Sequence, residues 1–410
     1  MFYAERDFRD TIKLPVQLAR DRASCPSQLD CASFVEDDRA RDEDDLGREV
    51  YGILGIPIDA VDVLGVLGRI ESASAAGDRF LISTPNLNFL VSSQIDSEFR
   101  ESLLTSDLCP VDGVPIVWIA KLLGVPIKHR VAGSDIFEAL RSRVYPSRPS
   151  KVFLFGGPEG VAHAASEVLN ANADGVVCVG VFYPGYCSIE EMSSDHIIQS
   201  INSSGADFLI LSLGARKGQA WLMRNHDRLR VPVRSHLGAA INFQAGTLKR
   251  APRLVRKLGF EWLWRIKEEP YLWRRYGHDG VVLLKLLATK VLPLAIGNVS
   301  ARLSAAGQGS LSVRSTSNGK ATTVHLTGDA TAPNIRAAIA VFRDALGSNE
   351  AVWIDASGVK QVDARFFGLF LMIRKRLGQR GTHLRFTGIS THCRRAFRLH
   401  GFEFLLQECP

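Results

Sequence analysis

Four short stretches carry side chains suited to chemistry. Ile82-Ser83-Thr84-Pro85-Asn86 sets hydroxyls and an amide where an apolar run ends; the ends of strands are where open α/β sheets hold ligands. The same residues also make a turn with an asparagine helix cap. Leu108-Cys109-Pro110-Val111-Asp112-Gly113 puts a carboxylate ahead of an apolar helical run. Asp112 is there either as a cap or as a general base, and a base must lie within about 2.6–3.2 Å of the hydroxyl it deprotonates. Val152 to Gly160 reads as a strand, a glycine turn at Gly156 and Gly157, and a helix start, where free N–H groups and the helix dipole can hold phosphate. A tight turn alone explains the same glycines. The complete GxGxxG and GxxxxGK[ST] patterns are missing, which argues against a dehydrogenase and a P-loop enzyme. A further junction, Leu213-Gly214-Ala215-Arg216-Lys217-Gly218-Gln219, adds cations and an amide.

A denser cluster follows from Gly259 to Tyr276, with Trp262, Trp264, Trp273, Arg265, Arg274 and Arg275. Arginine forks match phosphate oxygens, and tryptophan and tyrosine favour the wet edge of a bilayer. A packed helical hairpin with core aromatics and solvated arginines has the same composition. Charge is unevenly spread within a net of +7: acids crowd residues 36–45, while Lys249, Arg250, Arg253, Arg256, Lys257 and Lys267 crowd this later stretch. Such local basicity suits phosphates or an anionic membrane. No nucleic-acid module accompanies it, so nucleic acid is not expected as a partner.

The elements that must position these groups follow from the apolar pattern. Strands are expected at Arg79–Ser83, Lys151–Phe155, Val176–Val179 and Phe208–Leu213, with helices at Phe89–Leu104, Ile116–Leu123, Val161–Asn170, Ile189–Asn202 and Gln219–Asn225. This alternation predicts an α/β fold, a Rossmann-like and mostly parallel sheet flanked by helices, over residues 49–248. Residues 1–48 mix Pro, Ser and charge and read as a flexible extension. Residues 249–297 form a helical, basic and aromatic appendage. Within it, Gly280 to Gly297 is interrupted by Lys285 and Lys290 and falls short of the roughly 20 apolar residues of a spanning helix. It reads as a membrane-surface helix or one packed between domains. Residues 298–320 have linker composition, and 321–410 read as a second, small α/β domain: strands Thr322–Thr327, Ala351–Asp355 and His383–Phe386, helices Asn334–Leu346, Phe366–Gly378 and Thr391–Leu399.

Seven cysteines are scattered without CxxC or Cys/His spacing, and the N-terminus is charged where a secretory signal needs an apolar run. A reduced, cytoplasmic setting without a structural metal is expected.

The motifs also stand in a recognisable order. Thr84-x-Asn86, Val111-Asp112-Gly113, Arg130-x-x-Gly133-Ser134-Asp135, Phe155-Gly156-Gly157, Gly180-x-x-x-Pro184-Gly185-Tyr186, Leu213-Gly214-Ala215, Arg250-Ala251-Pro252, Glu261-Trp262 and Glu269-Pro270 with Arg274-Arg275-Tyr276 resemble the WecG/TagA/CpsF glycosyltransferases over about Tyr51 to Tyr276. The resemblance implies inverting transfer from a UDP-sugar to a polyprenyl-diphosphate-linked acceptor, without an essential metal or cofactor, by a protein peripheral to the inner face of the cytoplasmic membrane. It implies Asp112 as base and Thr84 and Asn86 as donor-site groups. Gly156, Gly157, Gly185, Tyr186, Gly214 and Gln219 are expected around the donor, and Arg250, Arg265, Arg274 and Arg275 in the appendage that closes over the diphosphate. The family's usual Pro-Lys-Gln-Glu element stands here as Ala215-Arg216-Lys217-Gly218-Gln219-Ala220, and the appendage ending looks more like exopolysaccharide-assembly members, a weak pointer to glucosyl transfer. The sheet region has no DxD motif, so basic groups and N–H dipoles would meet the departing diphosphate. The second domain resembles a STAS domain through Val352 to Val359 and Val362 to Gly368. Ala364 occupies the place of the phosphorylated serine of that fold, which removes the phosphate switch and leaves docking or self-association. The alternative is a non-catalytic scaffold that binds nucleotide-sugars and docks assembly partners through the STAS-like domain.

Overall fold

The computed structural model describes residues 45–143, 149–171, 175–257, 259–303, 309–348 and 350–407. The extension expected over 1–48 lies outside them except for its last four residues, which pack against the fold. Leu46 and Arg48 are buried, and Arg48 grips Asp59 through both carboxylate oxygens, at 2.8 and 3.0 Å.

A short hairpin opens the fold: β1 (Val50–Ile53) pairs antiparallel with β2 (Ile56–Asp59). Its two-residue turn, Leu54-Gly55, takes positive φ at both positions (48° and 92°), the geometry whose twist matches the flanking strands. The transferase sheet then builds from α1 (Val63–Ala76), β3 (Phe80–Ile82), α2 (Leu87–Ile95), α3 (Ser97–Leu104), α4 (Val114–Leu123), α5 (Gly133–Ser142), β4 (Ser150–Gly156), α6 (Val161–Ala171), β5 (Val176–Phe182), α7 (Asp195–Ser203), β6 (Phe208–Ser212), α8 (Ala215–Asn225), β7 (Val233–His236) and α9 (Ala240–Gln244). Its five strands are all parallel, in the order β3-β7-β6-β4-β5. Alternation along β4 feeds both faces: Val152 and Leu154 enter one core with Ile136, Phe137 and Phe208, while Phe153 and Phe155 enter the other with Leu209, Ile197 and Trp221.

Three departures from the expected elements have local causes. The helix expected at Phe89–Leu104 is two helices, because Asp96 turns its carboxylate back to cap α3 at the Phe99 N–H (2.9 Å). The helix expected from Ile189 begins at Asp195, after a 3₁₀ turn at Glu191–Ser193. Strand β7 was not expected at all. It is Val-Arg-Ser-His, yet internal to the sheet and buried, because local carbonyls absorb Arg234 and Ser235: Arg234 donates to the backbone oxygens of Val231, His226 and Leu229 at 2.9, 2.7 and 3.1 Å, and Ser235 Oγ to Ile82 O at 2.8 Å.

The appendage comprises α10 (Arg253–Lys257), α11 (Glu261–Glu268), α12 (Trp273–Leu286), a π-turn at Leu287–Val291 and α13 (Leu292–Leu303). Here a sequence expectation fails: the stretch thought too short to span belongs to a helical run of 30 residues, Pro270–Val299, long and apolar enough to cross a membrane. One stripe, Leu286, Val291 and Leu294, packs on the protein beside Ile116, Ile119 and Leu123 of α4. The other, with Val281, Leu284, Leu292 and Ile296, is exposed.

The second domain is a four-stranded sheet, β8 (Leu311–Ser317), β9 (Ala321–Ala330), β10 (Ala351–Val362) and β11 (Leu384–Thr387), with helices α14 (Ile335–Gly347), α15 (Ala364–Gln379) and α16 (Thr391–His400). The order is β11-β10-β9-β8, with β8 antiparallel and the rest parallel. Residues assigned to a linker are thus structured at both ends, as the end of α13 and as edge strand β8. Helix α15 lies between this sheet and the β1–β2 hairpin. Leu46, Val50 and Leu104 share one core with Phe366, Phe367 and Phe370 of α15, and Arg374 holds Glu101 of α3 at 2.9 and 3.1 Å.

Candidate active site

The carboxyl ends of β3, β7, β6, β4 and β5 open on one edge of the sheet, and the connections leaving β4 and β6 run in opposite directions, which makes their junction the switch point where such sheets bind ligands. Gly156 and Gly157 end β4 at φ 96° and 85°. The Gly157 N–H donates to Ser212 O at 2.7 Å, and a Cβ on Gly156 would stand 2.7 Å from that same oxygen, so only glycine lets the two loops meet. Gly214 precedes α8 at φ 81° with no side-chain cap, leaving that helix's first N–H groups available to an anion. Lys217 donates to Cys187 O at 2.6 Å and ties down the loop of Gly185 and the fully exposed Tyr186. Gln219 is placed differently from expectation: only 1% exposed, it points inward from α8 and donates to Ser83 Oγ at 2.7 Å. It braces the crevice floor and does not line the donor surface. His236, at the end of β7, is also buried, and burial lowers its imidazole to about 4. Its Nε2 has no partner among the described residues, and Gly218 makes room for it, since a Cβ there would come within 2.4 Å of the ring.

Asp112 is brought to Thr84 and Asn86 by a zipper of main-chain bonds. Ser83 N–H donates to Leu108 O (3.0 Å), Asp112 N–H to Pro85 O (2.9 Å) and Val131 N–H to Val111 O (2.7 Å). Asn86 does cap α2, accepting from Phe89 N–H at 3.2 Å, so its oxygen is committed while its amide nitrogen can still donate. Thr84 is buried beside it. Asp112 is not a cap: Gly113 takes that position on α4, which has no side-chain cap bond. Burial pushes the Asp112 carboxyl up to about 8; Arg130 and the Gly133 N–H pull it down, while Glu261 and Asp135 add to the rise.

A knot of ionic groups adjoins it. Asp135 pairs with Arg130 (3.4 Å), Arg250 and Arg256 (3.8 Å), Arg130 also pairs with Glu261, and Arg250 donates to Ser134 Oγ at 3.0 Å. The Nε atoms of Arg250 and Arg256 are buried with no acceptor among the described residues, donors that an anionic ligand would satisfy. The appendage closes onto this knot: a Cβ on Gly259 would stand 3.1 Å from Val114, two residues past Asp112. Of the arginines expected here, Arg250 joins the cluster. Arg265 pairs with Glu269 inside the appendage, and Arg274 and Arg275 lie exposed over Trp273 and Tyr276, at 5.7 and 5.1 Å. Arg130, Asp135, Arg256 and Glu261 received no role from the sequence. All but Arg256 stand in the quoted motifs, but their mutual pairing depends on a contact between α5 and the appendage more than 100 residues away.

The parallel sheet, its glycine turns and the carboxylate at its rim define a Rossmann-like α/β enzyme. The chain belongs to the glycosyl transferase WecG/TagA/CpsF family, whose model matches residues 51–295. A model described as Mlab, STAS domain, matches residues 313–407. Similar proteins from Staphylococcus aureus strains MW2, NCTC 8325 / PS 47 and COL are named N-acetylglucosaminyldiphosphoundecaprenol N-acetyl-beta-D-mannosaminyltransferase; each is 24% identical over 227 residues, covering 55% of this chain and 86% of the relative. The protein is a glycosyltransferase joined to a STAS domain.

Proposed function

We propose that the protein transfers a sugar from a UDP-sugar to a hydroxyl of a polyprenyl-diphosphate-linked acceptor, with inversion and without an essential metal, as a step in cell-surface polysaccharide assembly. The observation that supports it most is Asp112 beside Thr84 and Asn86, with the part-buried guanidinium groups of Arg250 and Arg256 nearby and the appendage folded against the same spot. The Asp112 carboxylate takes the proton of the acceptor hydroxyl. That oxygen attacks the anomeric carbon from the face opposite the nucleotide, and the bond to the β-phosphate breaks, its electron pair leaving with UDP. Charge gathering on the diphosphate is met by the uncapped start of α8 and by the arginines around Asp135, placed before the reaction begins.

The relatives' names specify a lipid diphosphate acceptor and an N-acetylmannosaminyl group. They support the acceptor class and give glucosyl transfer no support, and no observation favours the scaffold reading. The long exposed apolar face between Val281 and Ile296 supports a site working against the cytoplasmic membrane, where such acceptors reside. The deciding experiment is Asp112→Asn, assayed for UDP release with a short-chain polyprenyl-diphosphate sugar. Loss of a positioned base costs about 10²–10⁴-fold, and UDP-sugar binding by calorimetry should persist. Turnover at the parent rate would remove Asp112 from the role.

A further inference from the structure

We propose that the STAS domain is a working part of the transferase site, with Lys375 of α15 as a positioning residue for the segment that presents Asp112. This rests on the reading of Asp112 as the base.

Residues 107–112 pass between the transferase sheet and the hairpin and touch each through a single bridge. Leu108 bridges Ile82 of β3 on one side, and Pro110 bridges Asp59 of β2 on the other. Each side is pinned by a carboxylate. Asp107 accepts the Leu81 N–H at 2.7 Å with one oxygen and Lys375 Nζ at 2.5 Å with the other. Asp59 accepts the Cys109 N–H at 2.6 Å and is itself clamped by Arg48. Lys375 also reaches Asp45 at 3.2 Å and Ser106 O at 3.4 Å, and its side chain is 3% exposed. An ammonium this buried costs desolvation that only its partners offset, and its removal leaves Asp107 with the Leu81 N–H alone among the described residues, while Asp45 keeps Arg48. The geometry makes α15 the outer wall against which the base-bearing segment is held, and Asp112 lies five residues past the lysine's partner.

The test uses the full-length chain with Lys375→Met and Lys375→Arg. Asp112 faces Arg130, Asp135 and the Gly133 N–H from one side and Glu261 from the appendage. Loosening its segment hydrates the carboxyl and moves the rising limb of kcat/KM against pH to lower pH. Lys375→Met is expected to lower kcat about tenfold with the donor KM little changed and to shift that limb; Lys375→Arg should restore both. A loss that merely tracks the unfolded fraction, with the limb unmoved, would overturn the proposal. Hydrogen exchange reads the same idea without any assay: the Cys109 and Asp112 amides, each bonded in this seam, should exchange faster in Lys375→Met while those of β4 and β6 do not change. Unaltered exchange at these two amides would also overturn it. If the parent releases no UDP but the exchange pattern changes as expected, the functional reading fails while the positioning role stands. Should Lys375→Met not fold, Asp107→Asn removes one charge of the same pair and is read identically.

Discussion

At the scale of single residues, the proposed chemistry turns on a carboxyl held away from water. Asp112 is pushed up to about 8 mainly by burial, with Glu261 and Asp135 adding to the rise. A base acts only when ionised, so kcat/KM of the free enzyme is expected to climb with pH and level off above a limb near 8. Glu261→Gln removes a neighbouring negative charge and frees Arg130 from its pair, and both changes favour the carboxylate. The limb should therefore fall by about one pH unit, as read from a pH series of initial rates. A limb that stays in place would show that Glu261 does not govern Asp112. Thr84, Asn86 and Asp112, which the fold brings together, stood out in the sequence because each sits in a short polar break between apolar runs. Gln219 was misjudged for the converse reason: a polar residue one turn into a helix looks available, and only the packed structure shows that its amide faces Ser83.

At the scale of elements, the strands with strong apolar runs and most helices were legible from periodicity, and β7 was not. Arg234 and His236 look like surface residues until the carbonyls that accept from Arg234 are seen. The run from Pro270 to Val299 shows another limit. Two lysines break its apolar pattern in sequence: Lys290 reaches back toward Gln94 on the protein side at 3.5 Å, while Lys285 stays on the exposed side beside Leu284, where a long lysine stem can lie along lipid and hold its charge at the headgroups. That face is expected to dock on lipid. Replacing Val281, Leu284 and Ile296 together with glutamate should abolish co-sedimentation with anionic phospholipid vesicles, because burial of each such side chain is worth about 1.5–3 kcal/mol and a charge reverses it. Turnover with a soluble short-chain acceptor should survive, since none of the three touches the crevice. Vesicle binding equal to the parent would place the membrane contact elsewhere.

At the scale of the whole molecule, two domains that read as separate are built around a shared core. The second domain was expected to serve docking or self-association, but the α15 face that packs on β1 and β2 is already occupied by the chain's own hairpin. Composition could not show this, because the contact depends on two glycines that merely look like breaks in a strand and a helix. Gly52 lies against Phe367 and Phe402, and a Cβ on Gly368 would come within 2.0 Å of Val50 O, a backbone atom with no room to give. Gly378, on the same helix, has nothing within 4 Å of its missing side chain. The two glycines therefore form a matched experiment. Gly378→Ala should be neutral or stabilise by up to about 1 kcal/mol through helix propensity alone. Gly368→Ala gains the same propensity but must push α15 off the hairpin, an overpacking cost of about 1–3 kcal/mol. Thermal unfolding should show Gly368→Ala melting below the parent and Gly378→Ala at or above it. Because the same hairpin carries Asp59, which holds the Cys109 amide ahead of the proposed base Asp112, turnover should fall in the first variant and not in the second. Equal melting and equal rates in the pair would mean that the domains tolerate separation, and that the transferase does not depend on the helix pressed against it.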